Sequence, residues 1–311
     1  MATVQSEATD ALEQYRRELT GYCYRMLGSS FDAEDAVQET MVRAWRSLDR
    51  FEGRSALKPW LYRIATNVCF DALAGRKRRA RPMDLGPAQE PLLENLAELP
   101  EIAWITPLPT PDELAEQRET LRLAFVAALQ HLPPKQRAVL ILCEVLKWRA
   151  TEAAELLETS VASVNSALQR ARATLATADA AAPAELDAAT LALLERYVAA
   201  FEAYDIDRLT ELLHEDAVQS MPPYSLWLRG RDDIFAWWLG PGIGCKGSKL
   251  VPVGLVNGMP AWGQYKPDPN GGHEPWSLIV PEVSDGRIVE LTFFLDTQRL
   301  FPVFGLADHL D

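Results

Sequence analysis

The sequence predicts a multidomain protein: two all-α modules followed by an α+β domain. Three observations predict it. Apolar residues recur at helical spacing from residue 10 to about 74, and again from 121 to 175. Residues 83–115 are rich in proline and acids, hold no Lys or Arg, and keep no apolar period. Beyond residue 189, two amphipathic helices give way to strand-length apolar runs. These are broken by Asn257-Gly258 and Asp285-Gly286, the turn dipeptides of hairpins. The predicted boundaries are 1–82, 83–115, 116–178, 179–188 and 189–311, which suits a chain of 311 residues.

The first module reads as three helices. Leu12, Tyr15, Leu19, Tyr22 or Cys23 and Met26 form a stripe over Asp10–Leu27, and Gly28-Ser29-Ser30 ends it. Asp32 is the expected N-cap of the next helix, with Glu34 and Asp35 in the first turn, where the helix dipole favours acids. Ala33, Ala36 or Val37, Thr40 or Met41, Ala44 and Leu48 form its inner stripe. Asp35, Gln38, Glu39, Val42 and Arg46 fall on the opposite face. Pro59-Trp60-Leu61 opens a third helix that carries Arg63, Asn67 and Asp71 and runs into Arg76, Lys77, Arg78, Arg79 and Arg81. Such a cluster is a phosphate-binding footprint. Phe51, Arg54, Ser55, Trp60 and Asn67 place aromatic and polar groups along the loop before this helix and along the helix itself. Asn67 stands mid-helix, where Asn has poor propensity and no cap role.

In the second module, Leu121, Phe125, Ala128 or Leu129 and Leu132 form one stripe. Pro133-Pro134 restarts a helix with Val139, Leu140, Leu142 and Cys143 expected inside. In RATEAAELLETSVASVNSALQRARATL, Thr151 is the expected cap of a short helix with Ala154 and Leu157 facing inward. Glu158-Thr159 turns the chain, and Ser160 caps a second helix with Val161, Val164, Leu168, Ala171 and Leu175 inside. Two short helices about a tight turn are a helix-turn-helix. Ser163, Asn165, Ser166, Gln169, Arg170 and Arg172 lie on the outer face, small polar groups for base edges and cations for phosphates.

The net charge of −13 looks wrong for a nucleic-acid binder until it is divided. Residues 1–82 carry +3 and 116–178 carry +2, while 83–115 carry −7, 179–188 carry −3 and 189–311 carry −8. Two basic modules are separated by an acidic linker and followed by an acidic domain, a distribution that speaks to partners.

DAEDAVQET, FEGRSALKPWLYRIATN and FDALAGRKRR, in that order, resemble region 2 of the extracytoplasmic-function (ECF) branch of the sigma-70 family, bacterial RNA polymerase sigma factors. LPPKQRAVLIL with the helix-turn-helix resembles region 4 of the same family. The resemblance implies that Asp35, Gln38, Glu39 and Arg43 dock on the clamp helices of core RNA polymerase. It implies that Arg54, Ser55, Trp60, Arg63, Asn67, Asp71 and the Arg76–Arg79 cluster read and melt the minus-ten element of promoter DNA. The second helix of the helix-turn-helix would read the minus-thirty-five element, and the acidic linker would thread the polymerase cleft. The sequence departs from the family in having Glu158 where Gly is common, and Asn165 and Ala167 where Lys and Arg are common.

In the C-terminal domain, helices over Leu191–Phe201 and from Asp207 precede a strand over His214–Met221 and a helix over Arg231–Trp238. Strands over Lys249–Val256, Met259–Tyr265, Pro275–Val283 and Arg287–Leu295 follow. That order and ERYVAAFEAYDIDRLTELLHEDAV resemble SnoaL-like domains, a cone-shaped α+β fold shared with ketosteroid isomerases and polyketide cyclases. Trp227, Trp237, Trp238, Trp262, Trp276, Phe293 and Tyr224 are candidates to line a pocket, with Asp216, His214, His273 or Asp296 as a general base. No nucleophile and base stand at an interpretable spacing. Regulation by a small-molecule ligand or by structure alone is therefore expected over catalysis. The resemblance implies that this extension replaces a separate anti-sigma protein.

No run of 18 apolar residues and no secretory leader are present, so no membrane contact is expected. Cys23, Cys69, Cys143 and Cys245 form no CxxC pair. A cytoplasmic protein with reduced thiols, no metal and no cofactor follows. Two rivals remain: a ligand-responsive helix-turn-helix regulator acting without polymerase, and an isomerase- or cyclase-like enzyme with a DNA-binding leader.

Overall fold

The structure is a computed structural model and describes residues 11–48, 56–99, 103–110, 112–176 and 186–311. The chain packs as two compact units, one of Met1–Arg79 with Ile105–Ala180, the other of Ala80–Trp104 with Ala181–Asp311. This division departs from the boundaries read in the sequence. Both predicted helical modules share one unit, and most of the predicted linker belongs to the other.

The helical unit contains α1 (Arg16–Leu27), α2 (Ser30–Ser47), α3 (Leu57–Leu73), α4 (Leu123–Gln130), α5 (Pro134–Leu140), α6 (Ala150–Leu156) and α7 (Val161–Ala176). Its centre is α1. Every residue from Gly21 to Leu27 is buried, although the apolar stripe predicts one buried face. The second face is covered by a stretch around Leu114–Leu132 that lies some 100 residues further along. The apolar stretch beyond Trp104 docks here. Ile105 and Leu108 are buried, Thr106 donates its N–H to Gly28 O at 3.2 Å, and its carbonyl accepts from Tyr24 Oη at 2.9 Å. Cys143, expected inside, is half-buried in a π-turn over Ile141–Val145.

The second unit holds α8 (Ala188–Ala203), α9 (Ile206–Leu212), α10 (Arg231–Leu239) and α11 (Thr297–Val303) around one sheet. Its strands are β1 (Leu213–Ser220), β2 (Trp227–Arg229), β3 (Lys249–Val256), β4 (Met259–Pro267), β5 (His273–Ser284) and β6 (Arg287–Phe294), in the order β2-β1-β6-β5-β4-β3. The sheet is mixed. The two hairpins are antiparallel, as expected, but β1 pairs with β6 in parallel, Gln219 beside Leu291. Asn257-Gly258 and Asp285-Gly286 have φ of 50° and 79°, and 50° and 70°, the positive values a two-residue hairpin turn requires. The C-terminal tail closes against the sheet. Phe301 packs edge-on against Tyr265 with ring centroids 5.2 Å apart, Tyr265 Oη donates to Ala307 O at 2.7 Å, and Leu310 pairs with His273.

Candidate nucleic-acid interface

Ser29, not Asp32, caps α2, accepting from the Asp32 N–H at 3.3 Å. The Asp32 carboxylate is thereby free for another task and accepts from Arg76 Nη1 at 2.8 Å and from Arg79. Asp35, Gln38, Glu39 and Arg43 are exposed on one face of α2, and Val42 and Trp45 share it. Trp45 is 53% exposed and Val42 41%. An uncovered Trp at the centre of a charged helix face is the composition of an interface core inside a polar rim. The spacing 35, 38, 42, 45 could have identified Trp45 from the sequence. Arg43 donates to Glu39 Oε1 at 2.7 Å and to Asp71 Oδ2 at 3.3 Å. The hydrogen bond it gives to Glu39, then that to Asp71, raises the Arg43 pKa. The predicted polymerase face and the end of the predicted DNA helix are thus joined by one charged cluster.

On α3, Asn67 and Asp71 are exposed while Trp60 and Arg63 are half-buried. Arg54, Ser55 and Phe51 lie outside the described residues. Arg76, Lys77 and Arg78 are exposed at the end of the helix. The sequence presents these cations as a free phosphate footprint. The structure gives Arg76 and Arg79 to Asp32, and Arg78 Nη1 to His131 Nδ1 at 2.7 Å. Arg76 and Arg78 are exposed, and exposed contacts of this kind are worth at most about 1 kcal/mol, so a phosphate can displace them, whereas the side chains of Arg79 and Asp32 are only 18% and 22% exposed.

The helix-turn-helix forms from α6 and α7. Glu152 reaches back to the Arg149 N–H at 2.8 Å, so Arg149 and not Thr151 starts α6. Ser160 caps α7, accepting from the Ser163 N–H at 3.1 Å. Ser163, Asn165, Ser166, Gln169, Arg170 and Arg172 are all exposed. Arg170 donates to Ser166 Oγ at 2.6 Å, and Arg172 pairs with Glu144. Val161, expected inside, is exposed, whereas Ala167 is only 8% exposed. An Arg at position 167 would therefore point into the unit, and its absence takes nothing from the outer face.

Glu158 sits in the turn with φ 50°, the left-handed region that costs an L-residue roughly 1–2 kcal/mol. Glu158→Gly is expected to stabilise the helical unit by about 0.5–1 kcal/mol despite the added freedom of the unfolded chain. Urea unfolding followed by circular dichroism reads this; a destabilised variant would show that the Glu158 side chain supports the turn.

Two buried arginines hold the unit together, and the sequence reading passes over both. Arg25 is 0% exposed and donates to Gly21 O at 2.9 Å, Gln117 Oε1 at 3.0 Å and Thr120 Oγ1 at 2.7 Å. Arg137 is 4% exposed and donates to Met26 O, Gln130 Oε1 at 2.7 Å, Gln130 O at 3.1 Å and Leu132 O at 3.0 Å. Gln130 Nε2 closes the circuit on Arg25 O at 3.3 Å. No carboxylate takes part in these bonds, and burial pushes both guanidinium pKa values down to about 10.

Comparison with known proteins matches the description Sigma-70 region 2 to residues 11–79, Sigma-70 region 4 to residues 122–175 and SnoaL-like domain to residues 194–291. The ECF RNA polymerase sigma factor SigG of Mycobacterium tuberculosis is 46% identical over 96% of this chain and 83% of its own length. The chain belongs to the ECF sigma factors. SigW of Bacillus subtilis, another ECF sigma factor, is 31% identical over 55% of this chain and 88% of its own. The crystal structure of M. tuberculosis SigJ shares the fold, with a TM-score of 0.62, 23% identity and coverage of 92% of this chain and 95% of that one.

The C-terminal unit of this sigma factor encloses a half-open cavity with 340 Å³ of empty space, counting its mouth. Trp237, Trp238, Trp276, Phe201, Phe293 and Met221 form most of its wall. Of the other candidates from the sequence, Trp262 packs in the core, Trp227 is buried with its Nε1 donating to Gly86 O at 3.0 Å, and Tyr224 lies in the turn after β1. None of Asp216, His214, His273 and Asp296 lines the cavity. Its polar groups are Gln219, Gln264, Tyr204 and Cys245. Gln219 is 1% exposed; its Oε1 accepts from Trp238 Nε1 at 2.7 Å, and its Nε2 meets only the Met221 sulfur at 3.9 Å. Burial pushes the Cys245 thiol up to about 11 and the Tyr204 phenol up to about 12. The cavity therefore offers neutral hydrogen-bonding groups on aromatic walls.

Proposed function

We propose that this sigma factor carries core RNA polymerase to specific promoters. It docks through the α2 face of Asp35, Gln38, Glu39 and Arg43 around Trp45, opens the minus-ten element with α3, and reads the minus-thirty-five element with α7. The relation to SigG along nearly the whole chain carries this reading. The exposure of Asn67 on α3 and of Gln169 and Arg170 on α7 supports the assignment of faces. The test is run-off transcription with purified bacterial core polymerase on a genomic fragment library. Discrete start sites that need both core and this protein are expected. Asn67→Ala and Arg170→Ala should each lower specific transcripts about tenfold, the worth of roughly 1–3 kcal/mol per lost base contact. Operator binding by the protein alone, without core-dependent transcripts, would instead favour the ligand-responsive regulator.

We read the C-terminal unit as a sensor, because the described residues that line its cavity are aromatic, apolar or neutral polar groups. A neutral, planar, largely apolar molecule with one carbonyl acceptor suits it: aromatic faces for the rings and the Gln219 amide N–H for the carbonyl. A charged molecule would lose its hydration for no counter-charge. Calorimetric titration should detect chromone and not its 2-carboxylate; equal binding of the two, or of neither, would remove this reading.

A further inference from the structure

The outer face of α7 carries one long side chain at its centre. At roughly 100° per residue, the side opposite the buried Val164, Ala167 and Ala171 is occupied by Ala162, Ser166, Gln169 and Ala173, all exposed. Ala162, Ser166 and Ala173 are short, so the helix can lie close against whatever it docks on. Gln169 alone projects from the middle of the face. Asn165 stands to one side of it, between Gln169 and Arg172, and Arg170 stands to the other. Both arginines are engaged: Arg170 donates to Ser166 Oγ at 2.6 Å, and Arg172 pairs with Glu144. The Gln169 carboxamide has no partner among the described residues.

The chemistry of that carboxamide selects one base. It holds one donor group and one acceptor side by side. The major-groove edge of adenine presents one acceptor, N7, and one donor, the N6 amino group, and a carboxamide meets both at once. Guanine presents two acceptors there, cytosine a donor alone and thymine an acceptor alone, so each leaves half of the amide unpaired. Loss of one half is costly where the short neighbours let the helix seat closely and exclude water. We propose that Gln169 specifies a single adenine in the minus-thirty-five element, and that this one contact sets the base preference at its position. A bidentate pair of this kind discriminates by about 5- to 150-fold against the wrong base.

This inference rests on the reading of α7 as the minus-thirty-five helix, and the test separates the two. A promoter on which core polymerase and the full-length protein initiate is changed at each base pair of the upstream element to the other three pairs in turn. Run-off transcripts are then compared for wild type, Gln169→Ala and Gln169→Arg. Wild type is expected to favour adenine about 5- to 150-fold at one position. Gln169→Ala should flatten the preference at that position and leave the others. Gln169→Arg, whose guanidinium suits two acceptors, should move it to guanine. Three results overturn the proposal while core-dependent start sites keep the sigma reading intact. Gln169→Ala could keep every preference. It could flatten a position where the favoured base is not adenine. It could lower all promoters equally, the mark of a contact with phosphate or of a structural role. If Gln169→Ala is silent on every promoter, Gln169→Arg decides: a gain at guanine supports the contact, and no gain overturns it. Silence of wild type with core removes the sigma reading and the adenine contact with it.

Discussion

Arg137→Ala is expected to lower the unfolding free energy of the helical unit by about 3–5 kcal/mol, a large share of what an ordinary domain possesses. The guanidinium is buried and serves four acceptors, among them the carbonyls of Met26, Gln130 and Leu132. Truncation leaves these without donors in a site water reaches poorly, at roughly 1–3 kcal/mol for each group that stays unsatisfied. It also releases Gln130, whose other end is fixed on Arg25 O. Burial pulls the Arg137 pKa down to about 10, so the side chain is still a cation at neutral pH. Its charge is held by carbonyl dipoles alone. Arg137→Lys keeps the charge but cannot fork, and is expected to lose about half as much. Arg137→Met removes both the charge and its desolvation cost, and should fall between Ala and Lys. Urea titrations of the three, read by circular dichroism, test this order. A loss below about 1 kcal/mol for Ala would mean that the two halves of the unit are held by apolar packing and that the arginines are incidental.

Why these residues escape a reading of the sequence is instructive. The α2 face, the helix-turn-helix and both hairpins are legible because each depends on neighbours in sequence. Asn257-Gly258 and Asp285-Gly286 select their turns by φ alone, and Ser160 caps α7 three residues from its partner. Arg25 and Arg137 act across about 100 residues, and a single Arg beside an apolar stripe reads as a surface group. The docking of the stretch from Ala80 to Leu99 is hidden for a different reason. Its prolines and acids suggest a tether, but it docks largely through backbone groups of Gln89, Ala97 and Leu99, which have no side-chain signature. The parallel pairing of β1 with β6 and the three-residue β2 are likewise products of tertiary contact. At the cavity, residue type misleads. His214 and Asp216 look like chemistry but belong outside, while Gln219 is in phase with the buried Ala217 and Met221 at intervals of two. Strand alternation was the available signal.

Trp238→Ala is expected to destabilise the C-terminal unit by about 4–5 kcal/mol, through loss of a buried ring and the void it leaves. Trp238 packs edge-on to Phe201 at 5.4 Å and to Phe235 at 5.7 Å. The more informative variant is Trp238→Phe, which keeps much of the ring but removes the donor to Gln219 Oε1. That leaves a buried carbonyl unpaired and should cost about 1–3 kcal/mol. Gln219→Leu should cost a similar amount by orphaning the indole N–H. The double variant, with both partners apolar, should cost less than the sum of the two, since neither leaves the other stranded. The cycle also reports on the cavity. If Trp238→Phe costs nothing, water already reaches Gln219 and can replace the indole. The wall would then be wet where an apolar ligand must lie, and the neutral-ligand reading of this unit would fail. A full penalty means the site is dry apart from its amides, and a carbonyl-bearing guest gains a hydrogen bond that no water competes for.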